Sequence, residues 1–500
     1  MTSGWSVHLA PGAAFDPARL TARSLPAAWA VHWRAAPERA ALADERGVRL
    51  SWGQLEAESA RAAGRLHAAG LRAGDSVLAS AASSLALAVA HVACLRLGLV
   101  VLPANPAYRA AELAQLLADA QPRAALVDDA SLSAQLGALD PALLVCSPAL
   151  ALSDGPVPAL DGALPEAAAL LAYTSGTTGR PKGALLSHGN LHATAEAVRI
   201  AWRWTPDDRL VHALPLFHMH GLGVALHGTL QAGASALLLP RFDPDAVLDA
   251  VEREGATLFF GVPTMLHRLA DHPRAPALAR LRLLVSGSAA LAADLHARIA
   301  ARTGQVCLER YGMTETGMLV SNPVDGARVP GTVGFPLPGV ELRLAAGGEI
   351  EVRGPNVFGG YRERPDANAE AFTRDGWFRT GDLGELDGDG RLRIVGRAKE
   401  LVISGGYNVH PREVEEALLA HPAVREAAVV GTPSPEWGEV VTAYLVSERE
   451  LGLAELRAHL AERLAAFKHP RIVHRVDALP RNALGKVQRH RLRGGCVRPE

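Results

Sequence analysis

Apolar and polar positions along this chain switch repeatedly between a helical period and short continuous runs. Between Trp52 and about Pro240, segments such as QLEAESARAAGRLHAAG (54–70) carry apolar residues at helical spacing. Short runs such as SVLAS (76–80) and AALVDD (124–129) predict strands between them. The most apolar stretch, Leu85 to Leu102, contains His91, Arg96 and Gly98. Those interruptions predict a buried helix followed by a strand, not a membrane span. The alternation continues through ATLFFGVP (256–263) and RLLVSGSAAL (282–291). It predicts an α/β protein of layered helices around largely parallel strands.

After Gly331 the texture changes. GVELRLAAGGEIEVRG and then GELDGDGRLRIVGR predict a small β-rich subdomain of hairpins, with DGDG as a turn. A boundary follows Gly396-Arg397, giving a large N-terminal domain (1–396) and a small α+β C-terminal domain (400–500). In the latter, a helix at 411–420 opens on Pro411, with Glu413, Glu415 and Glu416 in its first turns. Strands at 427–431 and 440–447 follow. A helix at 455–467 then puts Leu456, Leu460, Leu464 and Phe467 on one face.

Composition excludes more than it selects. With 49% hydrophobic residues in 500, the chain can bury two or three subdomain cores. A net charge of −1 supplies no global field for nucleic acid or an anionic membrane, so neither is expected as a partner. Oligomeric state is not legible. The cysteines Cys94, Cys146, Cys307 and Cys496 are too scattered for a zinc site or a disulfide framework, and predict free thiols in a reducing cytosol. The N-terminus lacks a secretory pattern; its first fifteen residues hold neither acid nor arginine, which meets only half of a mitochondrial presequence. A soluble cytoplasmic protein is expected. Of 51 basic residues only four are lysines, at 182, 399, 468 and 486. A chain that writes arginine almost everywhere keeps lysine where a compact ammonium is needed.

One of those lysines closes YTSGTTGRPKG (173–183), a loop of glycines and hydroxyls after the apolar run ALLAY (169–173). Such a loop turns backbone N–H groups into an anion-binding concavity, and Lys182 adds a point charge. These are the requirements of a polyphosphate site, although the spacing is not that of a Walker A loop. The string resembles the phosphate loop of the adenylate-forming superfamily: acyl-CoA synthetases, luciferases and peptide-synthetase adenylation domains. LPLFHMHG (214–221), SGSAAL (286–291), YGMTET (311–316), FRTGDLG (378–384), GRAKELVISGGYNVHPREVE (396–415) and PRNALGKVQR (480–489) follow in that family's order.

The resemblance implies the adenylate-forming fold, with a mobile C-terminal domain turning about a hinge at 397–399, Lys399 included. It implies ATP, Mg²⁺ and coenzyme A as co-substrates and cofactor. Thr174, Ser175, Gly176, Thr177, Thr178 and Lys182 would cradle the β- and γ-phosphates, and Glu315 would hold Mg²⁺. Gly287, Ser288, Ala289, Tyr311, Gly312 and Thr314 would enclose the nucleotide. Asp382 would take the ribose hydroxyls, and Arg397 the ribose or phosphate. Lys486 would neutralise the α-phosphate and the attacking carboxylate. Ser404, Gly405, Gly406 and Tyr407 would meet the pantetheine arm, and His218 would guard the acyl channel. The basic run from Lys468 to Glu500, nine Lys/Arg against two acids, fits either a phosphate-binding or a solvated face.

LPLFHMHGL, GVPTMLHRLA, LLVSGSAAL and ERYGMTET are similar to malonyl-CoA synthetases more than to fatty-acyl or aryl ligases. A dicarboxylate must be held by its far carboxylate, which demands a cation. Arg268 and Arg310 match the arginines those enzymes use, with Met313 beside the acid. Malonate relatives commonly carry M-N-T-S after YGMTE. This chain has Met318-Leu319-Val320-Ser321, so the resemblance does not imply strict malonate selectivity, and methylmalonate or another short branched diacid is also expected as a substrate. A medium-chain or aryl acid–CoA ligase is the alternative expectation. An adenylation module loading a carrier protein ranks third.

Overall fold

A computed structural model describes residues 4–21, 23–108, 110–174, 182–404, 407–434, 436–461, 463–482 and 485–493. By packing, the chain forms two compact units, residues 1–342 with 352–378, and residues 343–351 with 379–500. The second unit thus begins well before Arg397. The reason is local: the hairpin Phe378–Leu386/Leu392–Arg397 is tied to the helix Pro411–Leu419 through Arg412, which donates to the Ile394 carbonyl. Arg393 adds a 2.8 Å bond to Glu416.

Among the described residues, the first unit holds the six-stranded and the nine-stranded sheet. In the six-stranded sheet, Ser76–Ser80 pairs in parallel with Val100–Pro103 and with Ala124–Val127. At one edge Ala168–Thr174 turns back antiparallel into Lys182–Ser187, pairing Thr174 with Lys182. The expected helices and strands stand here. Trp52–Ala68 starts on a capping box of Ser51 and Gln54. Leu85–Arg96 is almost wholly buried, which is why its apolar residues show no face.

In the nine-stranded sheet, Arg209–His212, Ser235–Leu238, Leu258–Gly261, Leu283–Ser286 and Leu308–Met313 run parallel. The chain leaves 209–212 to place 235–238 on one side and then crosses to place 258–261 on the other. Helices Pro244–Arg253, Pro263–Asp271 and Ala293–Thr303 bury their apolar stripes on this sheet, around Phe259, Leu266, Leu284 and Ile299. Beyond 308–313 the sheet ends in the antiparallel strands Gly317–Ser321 and Phe335–Pro336.

In the second unit, the strands Val424–Ser434 and Gly438–Ser447 form a long antiparallel pair. The strands 402–404, 407–409 and 472–475 complete its sheet. Val414, Leu418, Val429, Val441, Leu456 and Leu460 make its core. One expectation needs correction. The helix predicted over 455–467 runs only Leu453–Ala461, and Phe467 lies in a separate turn, Ala466–Lys468. Leu456 and Leu460 fill the core, whereas Phe467 is 37% exposed and stacks on Tyr407. Without burial for Phe467, the helix gains nothing by continuing to it. No helix among the described residues is long and apolar enough to cross a membrane.

Candidate active site

The motif loops leave the nine-stranded sheet at the carboxyl ends of adjacent parallel strands. Residues 213–218 follow 209–212, Val262 follows 258–261, and Gly287 to Ala289 follow 283–286. Strand order reverses beside 209–212, and open α/β sheets bind ligands at the crevice such a reversal creates. The loops are stitched together. Gly287 donates to Gly261 O at 3.2 Å, and Ser288 Oγ lies 3.2 Å from His220 Nδ1. Ser288 takes φ +68°, a left-handed conformation unusual for serine and typical of a constrained site. His218 accepts at Nδ1 from the His220 N–H at 3.2 Å and stands just before a π-helical segment, His220–Leu226. His212, pushed down to about 4 by burial, is a neutral donor to Gly221 O at 2.8 Å.

Arg310 adjoins this group at Gly287. It is buried, and its guanidinium packs against Gly287, where a Cβ would stand 2.3 Å from Arg310 Cζ. Nε and Nη2 have no hydrogen-bond partner among the described residues. Desolvation pushes the group down to about 9, so it stays cationic at neutral pH. A buried cation with unused donors is costly unless an anion completes it. Arg268 stands differently. It is exposed on the helix Pro263–Asp271, its guanidinium 5.1 Å over the Phe242 ring. Tyr311, Gly312 and Met313 form the end of the strand beside Arg310, and Thr314 begins the turn that carries Glu315.

Glu315 is 5% exposed. It joins the two sheets' motifs, because Thr174 Oγ1 donates to its Oε1 at 3.3 Å. Lys182, opposite Thr174, holds its ammonium 5.2 Å over the ring of Tyr361, whose hydroxyl donates to the same Oε1 at 3.0 Å. Carboxylate, hydroxyls and ammonium within one cluster suit magnesium-bound phosphates, since Mg²⁺ takes one or two protein carboxylates and completes its shell with phosphate and water oxygens. Ser175, Gly176, Thr177 and Thr178 lie outside the described residues, as do Gly405 and Gly406.

In the second unit, Asp382 and Arg397 are cross-strand partners joined by a 2.9 Å ion pair, with Asp382 buried. Lys399 is exposed in the turn Ala398–Glu400. Ser404 is buried at the end of its strand, and Tyr407 is 57% exposed. Lys486 is exposed: its N–H donates to Asn482 Oδ1 at 3.0 Å, and its carbonyl accepts from Asn482 N at 2.9 Å. Three cations of the basic run are in ion pairs. Lys468 pairs with Glu413, Arg481 with Glu426, and Arg489 with Glu415 and Glu400.

Sequence reasoning missed Tyr361 and His220. His220 sat in the quoted LPLFHMHG without a role. For Tyr361 the available signal was the glycine pair of GGYRERP (359–365).

Over residues 29–362 the chain matches the family of AMP-binding enzymes, and over 413–486 the AMP-binding enzyme C-terminal domain. It belongs to that family, the adenylate-forming enzymes. It is an AMP-forming acid–CoA ligase that works with ATP, Mg²⁺ and coenzyme A. It is 40% identical over 465 residues to a feruloyl-CoA synthase of Amycolatopsis sp, covering 89% of this chain and 94% of that one. Over 372 residues it is 40% identical to a mitochondrial malonate–CoA ligase of Mus musculus, with 65% and 64% covered. The crystal structure of ATP-bound MatB from Rhodopseudomonas palustris matches with a TM-score of 0.89 at 41% identity, covering 94% and 99%.

Proposed function

We propose that the acid is a short dicarboxylate, malonate or methylmalonate, converted to its CoA thioester with release of AMP and pyrophosphate. The observation that carries this is Arg310: a buried guanidinium whose Nε and Nη2 lack partners among the described residues, at the carboxyl end of the central strands. A far carboxylate satisfies those donors, while the apolar tail of a fatty acid or the neutral ring of an aryl acid leaves them desolvated and unused. The similarity to a malonate–CoA ligase supports the same reading.

ATP with Mg²⁺ supplies the pyrophosphate leaving group and the charge neutralisation that let a carboxylate become an acyl donor. Around it, Thr174 and Lys182 bind phosphate, and Glu315 holds the metal. Gly287, Ser288, Ala289, Tyr311, Gly312 and Thr314 enclose the nucleotide. Asp382 and Arg397 take the ribose side. Lys399 serves as the hinge, and Ser404 and Tyr407 meet the thiol substrate. Arg310 orients the diacid by its remote end, with Met313 and His218 bordering the acyl group. Arg268, exposed over Phe242, would have to turn to assist. Lys486 brings its ammonium to the reacting carboxylate and α-phosphate.

A panel of malonate, methylmalonate, succinate, acetate, octanoate and ferulate tests the proposal by CoA-dependent AMP release. The diacids should dominate. Turnover of octanoate or ferulate with no response to malonate overturns it.

A further inference from the structure

Tyr361 meets both phosphate-site motifs at once. Two chain-distant segments converge on it: the hairpin carrying Thr174 and Lys182, and the turn carrying Glu315. Its backbone is held on two sides. Asn368 Oδ1 accepts from Tyr361 N at 2.7 Å, and Asn368 Nδ2 donates to Tyr361 O at 2.9 Å. Tyr361 also bridges Ala184 on the return strand of the hairpin, and Arg362 N donates to Gly183 O at 2.9 Å. Gly360 permits this close approach. It takes φ +137°, and a Cβ there would stand 2.9 Å from Asn368 Oδ1. The side chain is therefore delivered by a clamped backbone, with its ring edge-on to Phe358 at 4.9 Å.

What the side chain does is chemical as well as spatial. Its hydroxyl donates to Glu315 Oε1 at 3.0 Å, the oxygen that Thr174 Oγ1 also reaches at 3.3 Å. Two donors on one oxygen fix the carboxylate's rotation. The ring face meanwhile holds the Lys182 ammonium at 5.2 Å. One residue thus fixes the spacing between the anion that takes a metal and the cation that takes a phosphate.

We propose that Tyr361 is a positioning residue for the divalent cation, acting through the hydroxyl it donates to Glu315. This rests on the reading of Glu315 as the metal carboxylate. Hydrogen-bond partners of a metal ligand orient it, and their loss commonly weakens metal binding 10- to 100-fold.

Tyr361→Phe tests this with little risk to folding, since it keeps the ring, the Phe358 contact and the Lys182 contact and removes one oxygen. The readout is Mn²⁺ binding to the full-length protein, followed by electron paramagnetic resonance at saturating α,β-methylene-ATP, beside a thermal melt. The expected result is Mn²⁺ binding weakened about 10-fold or more with the melting temperature nearly unchanged. Mn²⁺ bound by Tyr361→Phe as tightly as by the unaltered protein overturns the proposal, and so does weakening that merely follows a large fall in melting temperature. Glu315→Gln separates the two claims. If it loses Mn²⁺ while Tyr361→Phe keeps it, only the role of Tyr361 falls. If Glu315→Gln also binds normally, the assignment of Glu315 falls, and the role of Tyr361 with it.

Discussion

The guanidinium of Arg310 occupies the space that a side chain at position 287 would need. A Cβ on Gly287 would lie 2.3 Å from both Cζ and Nε of Arg310. The glycine of the SGS motif therefore does more than let backbone approach nucleotide. It leaves room for the buried guanidinium that the proposed function assigns to the acid. Gly287→Ala should displace the guanidinium, because a side-chain end yields before sheet backbone does. The expected loss is about 10- to 100-fold in kcat/KM for malonate, the equivalent of one misplaced charged hydrogen bond at roughly 1.5–3 kcal/mol. Acetate turnover should change much less. Steady-state kinetics on the two acids checks it, and equal losses on both would place the damage at the nucleotide.

Arg310→Met should separate stability from activity. Replacing a buried cation with an apolar side chain of similar length removes a desolvation penalty, so the melting temperature is expected to hold or rise. Malonate kcat/KM should fall by about 100-fold or more, because the far carboxylate is left buried without a partner. Differential scanning calorimetry beside kinetics measures both. A large drop in melting temperature would mean Arg310 is a structural residue.

Lys486→Ala should act on the first half-reaction alone. Loss of an ammonium that meets developing charge is expected to slow adenylation about 100- to 1000-fold. ATP–pyrophosphate exchange reports that step, while thioester formation from chemically prepared acyl-adenylate should proceed at the original rate. Undiminished exchange would remove Lys486 from the reaction.

Acid should destabilise the fold through its buried histidines. His91 and His227 stack with their Nε2 atoms 2.8 Å apart. Burial pushes His91 down to about 3 and His227 well below its ordinary value. His8, His188 and His212 are pushed to about 4. The unfolded chain takes up protons near pH 6.5 and the folded chain does not. Stability is therefore full above pH 6.5 and declines from there toward pH 4, by at most about 1.4 kcal/mol per pH unit for each histidine. Thermal melts from pH 8 to pH 4 should show the slope. His188→Leu should flatten it, since neither nitrogen of that ring has a partner among the described residues. A melting temperature constant over this range would refute the account.

Local pattern made the parallel layers legible. SVLAS and LFFG are short apolar runs whether read as text or seen as strands, because a strand buried on both faces needs nothing else. The motif strings were equally legible, since a polyphosphate site needs glycines, hydroxyls and lysine close together in the chain. Phe467 shows the limit. Its spacing from Leu460 fits a helix, but only packing decides whether a phenylalanine is covered, and this one is not.

By itself the amino-acid sequence determined the α/β class, the order of motifs and the candidate residues, because those depend on periodicity and on chemistry between near neighbours. Tertiary structure alone decided that Tyr361 reaches Glu315 across 46 positions, that Gly287 makes room for Arg310, and that Arg268 stands exposed while Arg310 is buried. Contacts between distant segments follow from how strands are ordered in a sheet. That order is set by the packing of the whole core, and no local stretch of sequence records it.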